Sequence, residues 1–141
     1  MATTTITAMR SALVTLLAAR AGLAGVQIGY GMPPGALQRE HMLLGLVEAT
    51  QEYRALGTTR KFEDYTVTMH IGVVREGTDQ QAADERALAL MAEVEAALRT
   101  DPTVSGTVLT AEVGRYRLEP LASETTREAR ITLDIQTRAR I

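Results

Sequence analysis

Between Lys61 and Pro120 the hydrophobic positions change period twice. From Tyr65 to Val73 they alternate, which predicts a long strand with Tyr65, Val67, Met69, Ile71 and Val73 on one face and Thr66, Thr68 and His70 on the other. Gly77 and Thr78 then turn the chain. From about Asp79 to Arg99 the spacing is helical, with Ala83, Ala87, Leu90, Met91, Val94 and Leu98 on one stripe. Thr78 or Asp79 can cap that helix. Its early acids (Asp79, Asp84, Glu85) and late Arg99 complement the helix dipole, and Asp101-Pro102 ends it. A strand is predicted from Gly106 to Leu118, with a connection beginning at Glu119-Pro-Leu-Ala-Ser123. Finally Ala129, Ile131, Leu133 and Ile135 alternate with Arg130, Thr132, Asp134 and Gln136 as a last strand.

The N-terminal part is less uniform. Ile6, Met9, Leu13, Leu16 and Leu17 predict an amphipathic helix from Thr5 to about Arg20, with Thr4 or Thr5 as N-cap and Gly22 to end it. Gly25 to Tyr30 reads as a short strand, closed by the Gly31-Met-Pro-Pro-Gly35 loop. His41 to Leu56 has two readings. Met42, Leu46, Ala49, Tyr53 and Leu56 recur at helical spacing, whereas Met42-Leu-Leu-Gly-Leu-Val47 is compact enough for a buried strand. Two amphipathic helices and at least four strands imply an α+β fold. It would be one domain over residues 1–141, with a mostly antiparallel sheet and both helices packed on one face.

Composition narrows the chemistry. Aromatic residues are scarce, so the core must be aliphatic. The absence of cysteine removes disulfides, thiolate metal sites and cysteine nucleophiles, and fits a reducing compartment. With 15 basic and 17 acidic residues the net charge is −2, which lacks the electrostatic footprint of a nucleic-acid binder. No apolar run approaches the roughly 20 residues that span a bilayer. The first residues lack the pattern of a secretory signal. These features predict a soluble protein made in the cytosol, with no membrane partner.

No reaction centre emerges from the motifs. Neither His41 nor His70 has a second histidine at metal-ligand spacing, and Glu63 and Asp64 lie roughly 20 Å from His70 along a straight strand. His70 reads as a polar residue on a sheet face. The serines stand in no nucleophile elbow, and the glycines form no phosphate loop or dinucleotide fingerprint. The pairs Glu63-Asp64 and Asp84-Glu85 read as solvated surface. Arg115-Tyr-Arg117 and Arg138-Ala-Arg140 each place two cations on one strand face. Such patches suit an exposed face charged against edge aggregation, a subunit contact, or, with too few stacking aromatics, nucleic acid.

Taken together, several stretches resemble the tail terminator (tail completion) proteins of long-tailed bacteriophages. They are the Leu56-Gly57 turn, Phe62-Glu-Asp-Tyr-Thr-Val67 opening the long strand, the helix from Ala82 to Arg99, and Asp101-Pro-Thr-Val-Ser-Gly-Thr-Val108. The N-terminal helix also has its counterpart, so the resemblance covers most of the chain. It favours two short strands over residues 41–56. The Pro33-Pro34 loop departs from the family.

The resemblance implies a ring, commonly a hexamer, that sits on the finished tail tube, stops its polymerisation and offers a surface for joining the head. Its partners would be further copies of the chain, the tail tube protein and a head–neck connector protein. The setting would be the virion tail, assembled in the bacterial cytoplasm. No catalytic residue, cofactor or sequence-specific nucleic-acid contact is implied. The interface is expected on loops 31–40 and 57–61 and on a last strand free to pair or pack between subunits, with Pro33, Pro34, Arg39, Arg60, Lys61, Arg138 and Arg140 as its residues. Two other readings stand beside it. One is a neck or head-completion protein of the virion; the other is a small-molecule-binding or enzymatic α+β domain built around His70 and its neighbouring threonines.

Overall fold

The computed structural model describes residues 3–53 and 61–141. Helix α1 (Ile6–Ala18) is followed by a 3-10 turn (Ala21–Leu23) and three strands, β1 (Gln27–Gly29), β2 (Glu40–Tyr53) and β3 (Lys61–Glu76). Helix α2 (Gln80–Thr100) and strands β4 (Thr110–Ala122) and β5 (Thr126–Arg140) complete the chain. The five strands form one sheet in the order β1-β2-β3-β5-β4. Only the short β1–β2 pair is parallel; the other three pairings are antiparallel. The α+β architecture expected from the sequence is therefore the one observed.

The β3 alternation places Tyr65, Val67, Met69, Ile71 and Val73 in the core, opposite Thr137, Ile135, Leu133, Ile131 and Ala129 of β5. Both helices cover this face: Met9, Leu13 and Leu17 of α1 and Ala83, Ala87, Leu90, Met91, Val94 and Leu98 of α2 join the same buried cluster. The Asp79 carboxylate caps α2 by accepting the Ala82 N–H at 3.1 Å. Arg86 on α2 grips Glu40 at the start of β2 through two hydrogen bonds of 2.8 and 3.0 Å. Arg20 ties the chain after α1 to Glu93 of α2 at 2.7 Å.

Several elements differ from expectation. Residues 41–53 are neither a helix nor two strands but part of one continuous strand; residues 54–56 lie outside the described residues. The helix-like spacing has a physical source. Leu44 opposes Met69 and Val47 opposes Val67, so one extra residue is inserted at Gly45-Leu46. That bulge carries the apolar series from Met42 and Leu44 over to Val47 and Ala49 and breaks the period of two. Helix α1 stops at Ala18, short of Gly22, which lies in the 3-10 turn. A Cβ on Gly22 would meet the Glu93 carboxylate held by Arg20.

Strand β4 begins later and ends later than the sequence suggests. After α2 the backbone passes through positive φ at Val104, Ser105 and Gly106. The Asp101 carboxylate fixes this turn by accepting from Thr103 Oγ1 (2.8 Å) and the Ser105 N–H (2.7 Å). These contacts hold the Asp101 pKa below the usual carboxylate value, the Ser105 N–H contributing most. Glu119 to Ala122, expected to leave the sheet, belong to β4. Pro120 is tolerated there because β4 has a partner on one side only. Finally, β5 is not free to pair outside the subunit. It lies between β3 and β4, and both its edges are engaged.

The Glu40–Arg86 pair predicts a pH dependence. The Arg86 hydrogen bonds are the main cause of a Glu40 pKa below its ordinary value, so the stabilisation is complete above about pH 4.3, the unfolded carboxylate value, and fades as pH falls from there. Chemical unfolding between about pH 7 and about pH 3 is expected to show a smaller acid loss for Glu40→Gln than for the parent chain.

Candidate interaction surface

Because both helices cover one sheet face, the opposite face is open. Along β3 it presents Asp64, Thr66, Thr68 and His70, and along β5 Arg130, Thr132, Asp134, Gln136, Arg138 and Arg140. His70 is exposed on this face, as expected from the strand alternation. Its ring and that of His41 lie over two glycines of neighbouring strands: a Cβ on Gly45 would sit 2.8 Å from His70 Nε2, and one on Gly72 would collide with the His41 ring. His41 Nδ1 is within hydrogen-bonding distance, 2.9 Å, of the Gln38 carbonyl. Among the described residues no group of three or more His, Asp or Glu side chains is arranged to hold a metal ion.

The face is concave where its four long strands cross. A depression of about 670 Å³ is floored by Glu48 and Thr50 of β2, Asp64 and Thr66 of β3, Gln136 and Arg138 of β5, and Thr110 and Glu112 of β4. It is wide, shallow and polar. Ligand sites are usually enclosed and mainly apolar with a few convergent polar groups; this depression is neither, whereas a second one on the same face, of about 450 Å³, is mainly apolar and lined by Met32, Leu37, Leu43, His41 and His70.

The residues expected at an interface fall into two groups. Pro33 and Pro34 lie in the loop between β1 and β2, and Arg39 lies just before β2, where its guanidinium pairs with Glu76 at 2.8 Å. Lys61, Arg138 and Arg140 lie at the other end of the long strands, Lys61 closing the sheet through mutual backbone bonds of 3.0 Å with Ile141. With β3 spanning 16 residues, the two groups are roughly 50 Å apart at ~3.3 Å per residue. Arg60 lies outside the described residues.

The second group is ordered by side-chain contacts. Arg138 donates two hydrogen bonds to the Asp64 carboxylate, at 2.7 and 3.1 Å, and that carboxylate raises the Arg138 pKa. The Arg138 and Arg140 guanidinium groups lie 5.8 and 5.6 Å from the centre of the Phe62 ring, and Lys61 Nζ lies 5.1 Å from that of Tyr53. Cations held against aromatic rings in this way form a defined basic end rather than a set of freely solvated chains.

Beside this end lies a carboxylate that the sequence alone misassigns. Glu63, read as solvated surface, is only 1% exposed. It accepts hydrogen bonds from Thr4 Oγ1 (2.7 and 2.8 Å), the Thr5 N–H (3.2 Å) and Gln51 Nε2 (3.0 Å). A buried carboxylate is tolerated because its lone pairs are filled and because it faces the start of α1, where the helix dipole favours negative charge. Tyr65 Oη, 3.0 Å from Thr5 Oγ1, extends the network. Burial, reinforced by the nearby Glu63 charge, pushes the Tyr65 phenol up to about 12. Strand alternation from Glu63 to Val73 places Glu63 on the core face, a signal that the adjacent Asp64 obscured.

Comparison with known proteins supplies a structural likeness. No family model and no curated protein matches the chain. A chain in the solved structure of the virion of a native gene transfer agent particle shares the fold. The TM-score is 0.60 at 15% sequence identity, over 98% of this chain and 100% of that one. The likeness thus extends over essentially the whole of both chains.

The Glu63 cluster yields two expectations. Glu63→Ala leaves several donors unpaired and should lower the unfolding free energy by about 1–3 kcal/mol, with faster amide exchange in the first turn of α1. Tyr65 favours its neutral form in the folded chain. Its stabilisation is therefore complete below the unfolded tyrosine value of about 10 and is lost as pH rises toward about 12. Ultraviolet titration of phenolate absorbance should lose its highest-pH component in Tyr65→Phe.

Proposed function

We propose that the chain is a structural subunit of a phage-like virion: a tail terminator that forms a ring on the end of the tail tube, halts tube growth and offers a surface to the head. The observation that carries this reading is the full-length likeness to a chain from a gene transfer agent virion. The resemblance of the 56–108 region to tail terminators supports the narrower role. The open sheet fits a subunit that works by contact: it presents a broad polar depression, and its two ends differ in chemistry.

In such a ring the two strand ends suit different neighbours. The basic end, with Lys61, Arg138 and Arg140, would face one axial partner, and the Pro33-Pro34 loop with Arg39 the other. The tail tube protein and a head–neck connector protein are the partners this reading supplies, and a hexamer is the stoichiometry it favours. The subunit acts by binding, without a catalytic step or a cofactor.

Light scattering after size-exclusion chromatography, with and without purified tail tubes, tests the reading. A ring alone or on tubes is expected; a strict monomer that ignores tubes would exclude it. Replacing both Arg138 and Arg140 by Glu is expected to abolish assembly while leaving the monomer folded by circular dichroism, since both side chains lie on the open face. Normal tail length and infectivity of that variant would count against the role of the basic end. Electron microscopy that places the ring on the head side would instead favour a neck protein.

A further inference from the structure

The sheet ends laterally in two unpaired edges, and these edges are chemically unlike. At one side β1 covers β2 only from His41 to Leu43, so no described strand pairs with the outer edge of β2 from Leu44 to Tyr53. At the other side β5 is the only partner of β4 among the described strands. The long outer stretch of β2 contains no proline and no basic residue, and beyond the Gly45-Leu46 bulge it runs regularly from Val47 to Tyr53. Leu46 (65% exposed) and Tyr53 (62%) flank its acidic Glu48 and Glu52. The β4 edge exposes Tyr116 (51%), sits next to Leu109 (46%) and carries Arg115 and Arg117 at its middle, with Glu112 and Glu119 on either side. Apart from Leu88 on α2, the large apolar side chains exposed among the described residues lie at these two sides of the sheet or in the adjoining 30–37 segment.

We infer that the outer edge of β2 receives the β4 edge of a second copy of this chain as an added antiparallel strand. Direction permits it. Strands β2, β3, β5 and β4 alternate in sense, so β4 runs opposite to β2. A copy rotated about an axis roughly parallel to the strands presents its β2 to that β4 in antiparallel sense, continuing the alternation. Charge selects this pairing over the symmetric ones. Joining β2 to β2 would bring Glu48 and Glu52 against their own copies, and joining β4 to β4 would do the same with Arg115 and Arg117. Joining β2 to β4 with Glu48 opposite Arg117 instead sets Glu52 beside Arg115 and leaves Glu112 and Glu119 across from Tyr53 and Leu46. Pro120, which has no N–H to donate, limits the pairing to the part of β4 before it. A head-to-tail junction leaves one edge of each kind open, so it repeats until it closes. The inference rests on the ring reading and adds the surface through which the ring is made.

The natural absence of cysteine permits a direct test. Thr50→Cys and Tyr116→Cys are prepared as separate variants and treated with a flexible bis-maleimide. Mixed together they are expected to give a cross-linked dimer, and the double variant a ladder ending at the size of the ring. Each variant alone should give little product. Efficient cross-linking of Thr50→Cys with itself would overturn the inference. Oligomers seen by light scattering without the mixed cross-link would also overturn it, while leaving the ring standing. A chain that stays monomeric at its highest soluble concentration and in the presence of tubes would remove both. In parallel, Glu48→Arg or Arg117→Glu should raise the concentration for half-assembly about tenfold, and the two together should restore it. A double variant no better than the singles would overturn the charge pairing.

Discussion

The structure depends on the pairing of β3 with β5. From Phe62 to Glu76 every residue of β3 faces a residue of β5, from Arg140 to Thr126, without a slip in register. An antiparallel ladder of that length fixes the face on which each side chain stands, because a shift of one residue would exchange the two faces. The outer strands do not keep such regularity. Both β2 and β4 carry an inserted residue, at Gly45-Leu46 and at Gly114-Arg115, so the sheet is regular at its centre and bent toward its edges.

From that spine the surface chemistry follows. One face is closed by two helices whose aliphatic stripes meet the same core, and the Arg86–Glu40 and Arg20–Glu93 pairs fasten them. The other face is covered by no described helix and holds a broad polar depression. Its long strands hold a proline loop at one end and arginines stacked on Phe62 at the other, roughly 50 Å apart. This separation keeps the two ends of the sheet chemically distinct, while its lateral edges lie between them.

Glu63 links the ends of that frame to the N-terminus. Its carboxylate is filled by donors from the residues before α1 and from the end of β2, so three separate parts of the chain converge on one buried charge. Removing one partner from such a cluster costs more than the cluster adds when complete, because a buried polar group cannot turn to water. The cluster therefore holds the start of α1 in place beside the basic end of the sheet.

The sequence alone determined the elements whose patterns are local. The period of two in β3 and β5, the helical stripe and Asp79 cap of α2, and the stripe of α1 were legible because burial of one face repeats along the chain at the period of the backbone. It also set the composition of the core and the lack of any recognisable reaction motif. Tertiary structure decided what depends on neighbours. The bulge at Gly45-Leu46 exists only relative to β3, and it disguised β2 as a helix. Pro120 reads as a chain break until β4 is seen to lie at an edge. Glu63 and Asp64 look alike in the sequence, yet one is buried under Thr4 and Thr5 and the other holds Arg138 on the open face. Which edges stay unpaired, and which charged residues stand beside them, follows from the order of strands in the sheet. No local pattern encodes that order, because it is fixed by contacts between residues far apart in the chain.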